Sequence, residues 1–165
     1  MKVKKKEHLP VMGVGPVYGI ILIGLTVLGI VLSERNVIPV VGCFGIAAVL
    51  RILGIIFVVF GILLWYCAVI KEKIDDGIVK NRLVTTGIYG RVRNPIYSDV
   101  LAVCTGILMI YANLCLLLLP FVYWGFLTVL MKNTEEKWLK ELYGEEYEEY
   151  CRRVNRCIPW KRSMT

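Results

Sequence analysis

Long apolar runs separated by short polar breaks set the pattern of this chain. The first run covers residues 11–32 and follows a basic tail, MKVKKKEHLP. It is longer than the apolar core of a secretory leader, and no small-x-small cleavage site follows it. It predicts a first transmembrane helix. The second stretch runs from 37 to 70 and is broken only by Arg51. That is too long for one perpendicular crossing of a hydrocarbon core about 30 Å thick. A span over 52–70 is expected, with Arg51 snorkelling to one interface and Trp65 and Tyr66 near the other. Residues 37–50 are then an interfacial or re-entrant piece, or an outer extension of the same helix. Runs at 96–111 and 114–131 predict two further spans. Only Ala112 and Asn113 separate them, which predicts a tight antiparallel hairpin.

The tail after the last run is charged. TEEKWLKELYG predicts a helix that stops at Gly144. Beyond it, Tyr147, Tyr150, Cys151 and Val154 fall at i, i+3, i+4 and i+7. That spacing makes one apolar stripe on an amphipathic helix, suited to the membrane surface or to the protein's own body. The expected fold class is all-α: a polytopic membrane helix bundle of about four transmembrane helices. One domain is expected over 1–165, with the N-terminal spans in 1–70.

Composition agrees, since 57% of the residues are hydrophobic, above the level of a soluble domain. The formal charge of +7 then reports topology and contact with anionic lipid. The chain carries no RNP, zinc-finger or helix-turn-helix pattern, so no nucleic-acid partner is expected. Of the 20 Lys and Arg, 18 lie in the N-terminal tail, in 71–93 or after Met131; Arg35 and Arg51 fall on the other side. The positive-inside rule therefore places both termini, and the TGIYGRVRNPIY loop at 86–97, in the cytoplasm. The six cysteines include no CxxC pair, and the single histidine, His8, sits in the basic tail. No metal site is expected, and no structural disulfide on a cytoplasmic side. Gly24, Gly54, Gly61 and Gly106 are expected at close helix contacts.

One polar segment carries candidate chemistry: TGIYGRVRNPIY, residues 86–97. Gly87 and Gly90 permit unusual backbone conformations, and Pro95 fixes its own backbone and biases Asn94 away from helix. Arg91 and Arg93 present planar charged forks; Tyr89 and Tyr97 present ring faces with polar tips. By composition such a loop first suits lipid headgroups and orientation in the membrane, with a ligand pocket as the alternative. Glu135 and Glu136 follow the last span and read either as an ordinary acidic helix start or as carboxylates for a ligand's hydroxyls or amine. The hairpin would bring them beside the loop. Asp99, a few residues into an apolar run, is expected at interface depth near a helix start, with a polar lining near an acceptor entrance as the alternative.

LVTTGIYGRVRNPIY, a helical hairpin, and TEEKWLKELYGEEYEEYCRRVNRCIP together resemble the isoprenylcysteine carboxyl methyltransferase family and the related phospholipid methyltransferases. The resemblance covers about 82–160. It rests on Gly87, Tyr89, Arg93, Pro95, Tyr97, Glu135, Glu136, Leu139, Tyr143, Gly144, Tyr147, Tyr150, Arg156 and Pro159. Asn94 stands where the family usually has His, Ile88 where it has Pro, and Gly90–Arg91 where it has Arg-Tyr. The resemblance implies S-adenosylmethionine bound in a cytosolic pocket closed by the C-terminal helices. Residues 82–160 would be the cofactor-binding core. It also implies a lipid-like or prenylated acceptor that enters from the membrane between helices. Phospholipids, hydrophobic amines and thiols are the other acceptors in view. The lining implied is Gly87, Tyr89, Arg93, Asn94, Pro95, Tyr97, Glu135, Glu136, Leu139 and Tyr147, with Arg93, Glu135 and Glu136 nearest the chemistry. Arg156 is a second candidate for the work of Arg93. A sterol-type reductase and a non-catalytic membrane scaffold are the competing readings.

Overall fold

The structure is a computed structural model that describes residues 13–42, 44–71 and 82–158. The basic tail with His8, most of the polar segment after the second run, Cys43 and Pro159 lie outside the described residues. Helix α1 is Gly15–Glu34 and α2 is Phe44–Trp65, which continues through a π-helical turn, Tyr66–Lys71. Helix α3 is Pro95–Tyr111. A 3-10 turn, Leu114–Leu118, leads into α4, Leu119–Asn133. Two short helices close the described chain: α5, Glu135–Tyr143, and α6, Glu145–Arg153. Proline occupies the first turn of α1, α3 and α4, where its missing N–H costs no helical bond.

Three segments are long and apolar enough to cross a membrane: Gly15–Glu34, Gly45–Lys71 and Leu114–Tyr143. Helix α3, with 17 residues, is a shorter apolar helix among them. The protein is thus an integral membrane, all-α helix bundle. The stretch left open around 37–50 divides: 37–42 is irregular, and the helix begins at Phe44, so Arg51 sits in its second turn rather than at its start. Side chains such as Ile52, Ile56 and Ile62 stay exposed on α2, as lipid-facing residues do.

Helix α3 is the centre of the bundle, with α2 running antiparallel along it. A Cβ added at Gly54 would stand 2.6 Å from the Gly106 carbonyl oxygen, and one added at Gly106 would stand 2.6 Å from that of Gly54. At Gly61 the added atom would stand 2.9 Å from the Asp99 carbonyl. These three glycines let the two backbones touch. Gly24 differs from expectation, since nothing lies within 4 Å of an added Cβ there.

The hairpin turns on Ala112, left-handed at φ 63°, and on Asn113. The Asn113 carboxamide is buried and uses all its hydrogen-bonding capacity. Its NH2 donates to Ser33 Oγ (2.8 Å) and the Pro39 carbonyl (3.2 Å). Its oxygen accepts from the backbone N–H groups of Val41 and Cys115, both at 3.1 Å.

Gly144, at φ 57°, ends α5 and redirects the chain into α6. The apolar stripe of α6 then packs on the protein's own body. Tyr147, Tyr150 and Val154 form a cluster with Leu83, Leu139, Tyr143 and Cys151. Past α6 the chain runs parallel to the loop: Arg93 N–H donates to the Asn155 carbonyl (2.9 Å) and Asn94 N–H to that of Arg156 (3.1 Å). The tail therefore clamps the loop directly in front of α3.

Candidate functional site

Between that clamped loop, α5, α6 and the near ends of α1 and α2 lies a cavity of about 500 Å³. This is the size range of small-molecule and cofactor sites. Of the residues picked out from sequence, Tyr89, Arg93, Asn94, Pro95, Tyr97, Glu135, Leu139 and Tyr147 line it. Glu136 and Gly87 do not.

The glutamate pair splits into two environments. Glu135 lines the cavity and accepts hydrogen bonds from the Val14 backbone N–H (3.0 Å) and from the Tyr97 hydroxyl. It thereby ties α5 to the starts of α1 and α3. Glu136, one residue on, points to the tail and binds Arg156 through two hydrogen bonds. It also pairs with Arg93 Nη1 at 3.4 Å. Adjacent residues on a helix project about 100° apart, so one carboxylate faces the cavity and the other braces the tail.

Arg93 is almost wholly buried, at 9% side-chain exposure. Its Nη1 reaches Glu136, the Tyr147 hydroxyl (3.4 Å) and Cys151 Sγ. Its Nε has no partner among the described residues. Asn94 donates from its side-chain amide to the Arg156 carbonyl (3.5 Å), and its own carbonyl accepts from Ser98 Oγ (2.9 Å). That residue thus works as a splint between loop, tail and α3, a task for which no titrating ring is needed. The Tyr150 hydroxyl donates to the Tyr89 carbonyl (2.6 Å) and pins α6 on the loop. Burial raises the Tyr147 and Tyr150 phenols far above their ordinary range, so both remain neutral, Tyr147 accepting from Arg93 and Tyr150 donating to Tyr89.

Sequence reasoning missed part of the wall. Gly15, Pro16 and Gly19 of α1, Trp65 of α2 and Trp138 of α5 also line the cavity. The paired small residues Gly15 and Gly19, four apart, were the available signal. Asp99 lines it as well. It stands near the start of α3, 5% exposed, in the lining position that was the alternative to a plain helix-start residue, and its Oδ1 has no hydrogen-bond partner among the described residues. The close approach of α2 at Gly61 covers that turn of α3.

Comparison with known proteins bears on this geometry. A model of the family described as phospholipid methyltransferase matches residues 40–146. The chain belongs to that family. It is 31% identical over 93 residues to a probable protein-S-isoprenylcysteine O-methyltransferase of Oryza sativa subsp. indica, covering 56% of this chain and 47% of the relative. It is 37% identical over 78 residues to the Schizosaccharomyces pombe protein-S-isoprenylcysteine O-methyltransferase, covering 47% and 33%. Against the Xenopus laevis protein of the same name it is 31% identical over 119 residues, covering 67% and 41%. Each of these alignments spans less than half of the relative's length. No solved structure gives a significant match.

Proposed function

We propose that this chain transfers a methyl group from S-adenosylmethionine to a lipid-like acceptor at the cytoplasmic face of a membrane. The single observation that supports this most is the convergence of three segments distant in sequence on one cavity. These are the loop at 89–97, Glu135 after the last span, and the tyrosines of the C-terminal helices. Membership of the phospholipid methyltransferase family supports the reaction class, and the names of the relatives support an acceptor with an apolar tail. The Lys and Arg distribution supports the cytoplasmic side.

The residues present fit the cofactor. Tyr89, Trp138, Tyr143 and Tyr147 offer aromatic faces for a purine ring. Glu135 offers a carboxylate for ribose hydroxyls or an amino group, and the Arg93 Nε, without a partner among the described residues, offers a donor for a carboxylate. When bound, S-adenosylmethionine supplies an activated methyl group on a positively charged sulfur. The chain's part is orientation and exclusion of water. Tyr97 and Val14 fix the Glu135 carboxylate, while Glu136 and Tyr147 fix Arg93. The clamp of Asn155 and Arg156 on the loop holds both in register. Gly15, Gly19 and Trp65 belong to membrane helices, so this side of the wall suits an acceptor's apolar portion.

The test is calorimetric binding of S-adenosylhomocysteine to the purified protein in detergent. Saturable binding is expected, weakened about tenfold or more by Glu135→Gln and by Arg93→Lys, a loss of at least ~1.4 kcal/mol. Lys137→Ala, on an exposed position of α5, is expected to bind as wild type does. Absence of binding by folded protein overturns the reading.

A further inference from the structure

The chain just before α1 reaches into the cavity from far away in sequence. Gly13 lines the cavity, and the Val14 N–H donates to Glu135 Oε1 at 3.0 Å across 121 residues of chain. The Tyr97 hydroxyl donates to the same oxygen. Two protein donors thus occupy the two lone-pair directions of Oε1. None of the hydrogen bonds among the described residues uses Oε2. Gly13 is what lets the chain come this close. It has φ 50°, in the left-handed region that favours glycine. A Cβ built on it would overlap Glu135 Oε1 and stand 3.1 Å from Glu135 Cδ and 3.4 Å from the Tyr97 hydroxyl. The other two glycines of this wall carry no such constraint. An added Cβ at Gly15 would make ordinary contact with Tyr97 at 3.5 Å, and one at Gly19 would meet nothing within 4 Å. The overlapped atom is the end of a flexible side chain, so bulk at position 13 is relieved by turning the carboxylate, not by moving helices.

We propose that Gly13 is a positioning residue of the cofactor site: its bare Cα keeps the start of α1 pressed on Glu135 Oε1, which leaves Oε2 as the oxygen for a ligand's donors. A carboxylate held at one oxygen by two donors cannot rotate to offer both, so it meets a hydroxyl or amino group in one orientation. The proposal rests on the methyltransferase reading and deepens it. It gives a part in that site to residues that precede 40–146, the stretch matched to the family. Gly13 acts only through Glu135, so its removal should alter the carboxylate before it alters the fold.

The experiment uses the full chain in detergent and has two readouts. Infrared difference spectra, each protein minus its Glu135→Gln counterpart, isolate this carboxylate with no ligand present. Gly13→Ala and Gly13→Asn are expected to shift its stretching bands, because the paired donors on Oε1 are lost. Gly24→Ala, where an added Cβ meets nothing within 4 Å, is expected to leave them in place. Asparagine enters the left-handed region more readily than alanine, so the second variant guards against backbone strain or misfolding in the first. Calorimetry with S-adenosylhomocysteine is the second readout. Both Gly13 substitutions are expected to weaken binding about tenfold. In a Glu135→Asp background the shorter side chain leaves room for the methyl, and Gly13→Ala is expected to cost no more than about twofold further. Bands unchanged in both Gly13 variants overturn the proposal. So do equal losses of binding in the two backgrounds, or a loss in Gly13→Ala that Gly13→Asn does not share. Shifted bands in a protein whose wild type binds no S-adenosylhomocysteine are the separate failure of the methyltransferase reading, with the hold of Gly13 on Glu135 upheld.

Discussion

Arg156 grips Glu136 at two points, 2.6 Å from Nε to Oε1 and 2.9 Å from Nη2 to Oε2. Both side chains are less than one-fifth exposed, and the Arg93 guanidinium adjoins the same carboxylate. The hydrogen bond to Glu136 raises the Arg156 guanidinium further above its already high range. The pair locks the tail against α5, and through the tail it locks the loop.

Glu136→Gln is therefore expected to destabilise the fold by about 2–4 kcal/mol, because it leaves two part-buried guanidinium groups without a countercharge. Arg156→Lys is expected to recover little, since a lysine cannot form the two-point contact. Thermal unfolding in detergent checks both. A Glu136→Gln protein that weakens S-adenosylhomocysteine binding at unchanged Tm would contradict this bracing role.

The seam between α2 and α3 gives a sharper contrast. Gly106→Ala brings a methyl within 2.6 Å of the Gly54 carbonyl, so the helices must separate. The expected loss is about 1–3 kcal/mol. Gly24→Ala meets no atom within 4 Å, so a change of no more than about 0.5 kcal/mol is expected. Comparing the two Tm values decides whether the seam, rather than glycine content in general, holds the bundle.

Asn113 has no unused bond. Asn113→Ala strands Val41 N–H, Cys115 N–H and Ser33 at the buried hairpin, with an expected cost of about 2–4 kcal/mol. Asn113→Asp keeps the shape but sets a carboxylate oxygen against the Pro39 carbonyl, and is expected to be no better than Ala. An Asp variant as stable as wild type would show that the NH2 group's two bonds contribute little.

The buried Cys157 thiol predicts a pH dependence. Burial pushes its pKa up from the ordinary 9.0 to about 11. The folded state thus favours the neutral thiol, and the unfolded chain ionises first as pH rises. The resulting stability is complete below pH 9 and is lost as pH rises from 9 to 11, a change of about 2–3 kcal/mol. Tyrosines titrate nearby, so the measurement is a difference: wild type minus Cys157→Ala, by denaturant unfolding at pH 8.5 and 11. That difference should shrink by the stated amount; a constant difference refutes the assignment to this thiol.

Much of the bundle was legible because apolar run length is a direct physical requirement of the bilayer. The runs at 11–32 and 114–131, the two-residue hairpin and the stop at Gly144 all reappear in α1, α4, Asn113 and α5. The extent of α2 was ambiguous, because Arg51 at an interface and Arg51 within a helix satisfy hydropathy equally well. Candidate chemistry was legible as residue types near one another in sequence, such as Arg93, Asn94 and Tyr97. Which glutamate meets the cavity was not, because Glu135 and Glu136 differ only by the rotation of one helical residue.

The sequence by itself determined that this is a membrane helix bundle with a stiff basic loop and an amphipathic tail, since length, periodicity and charge are local properties of the chain. Only the tertiary structure decided where that tail docks, which carboxylate it claims, and that Asp99 is enclosed in the cavity wall. Those outcomes depend on approaches between segments 20 or more residues apart, such as Arg156 against Glu136, Gly61 against Asp99 and Asn155 against Arg93, and no local pattern encodes such distances.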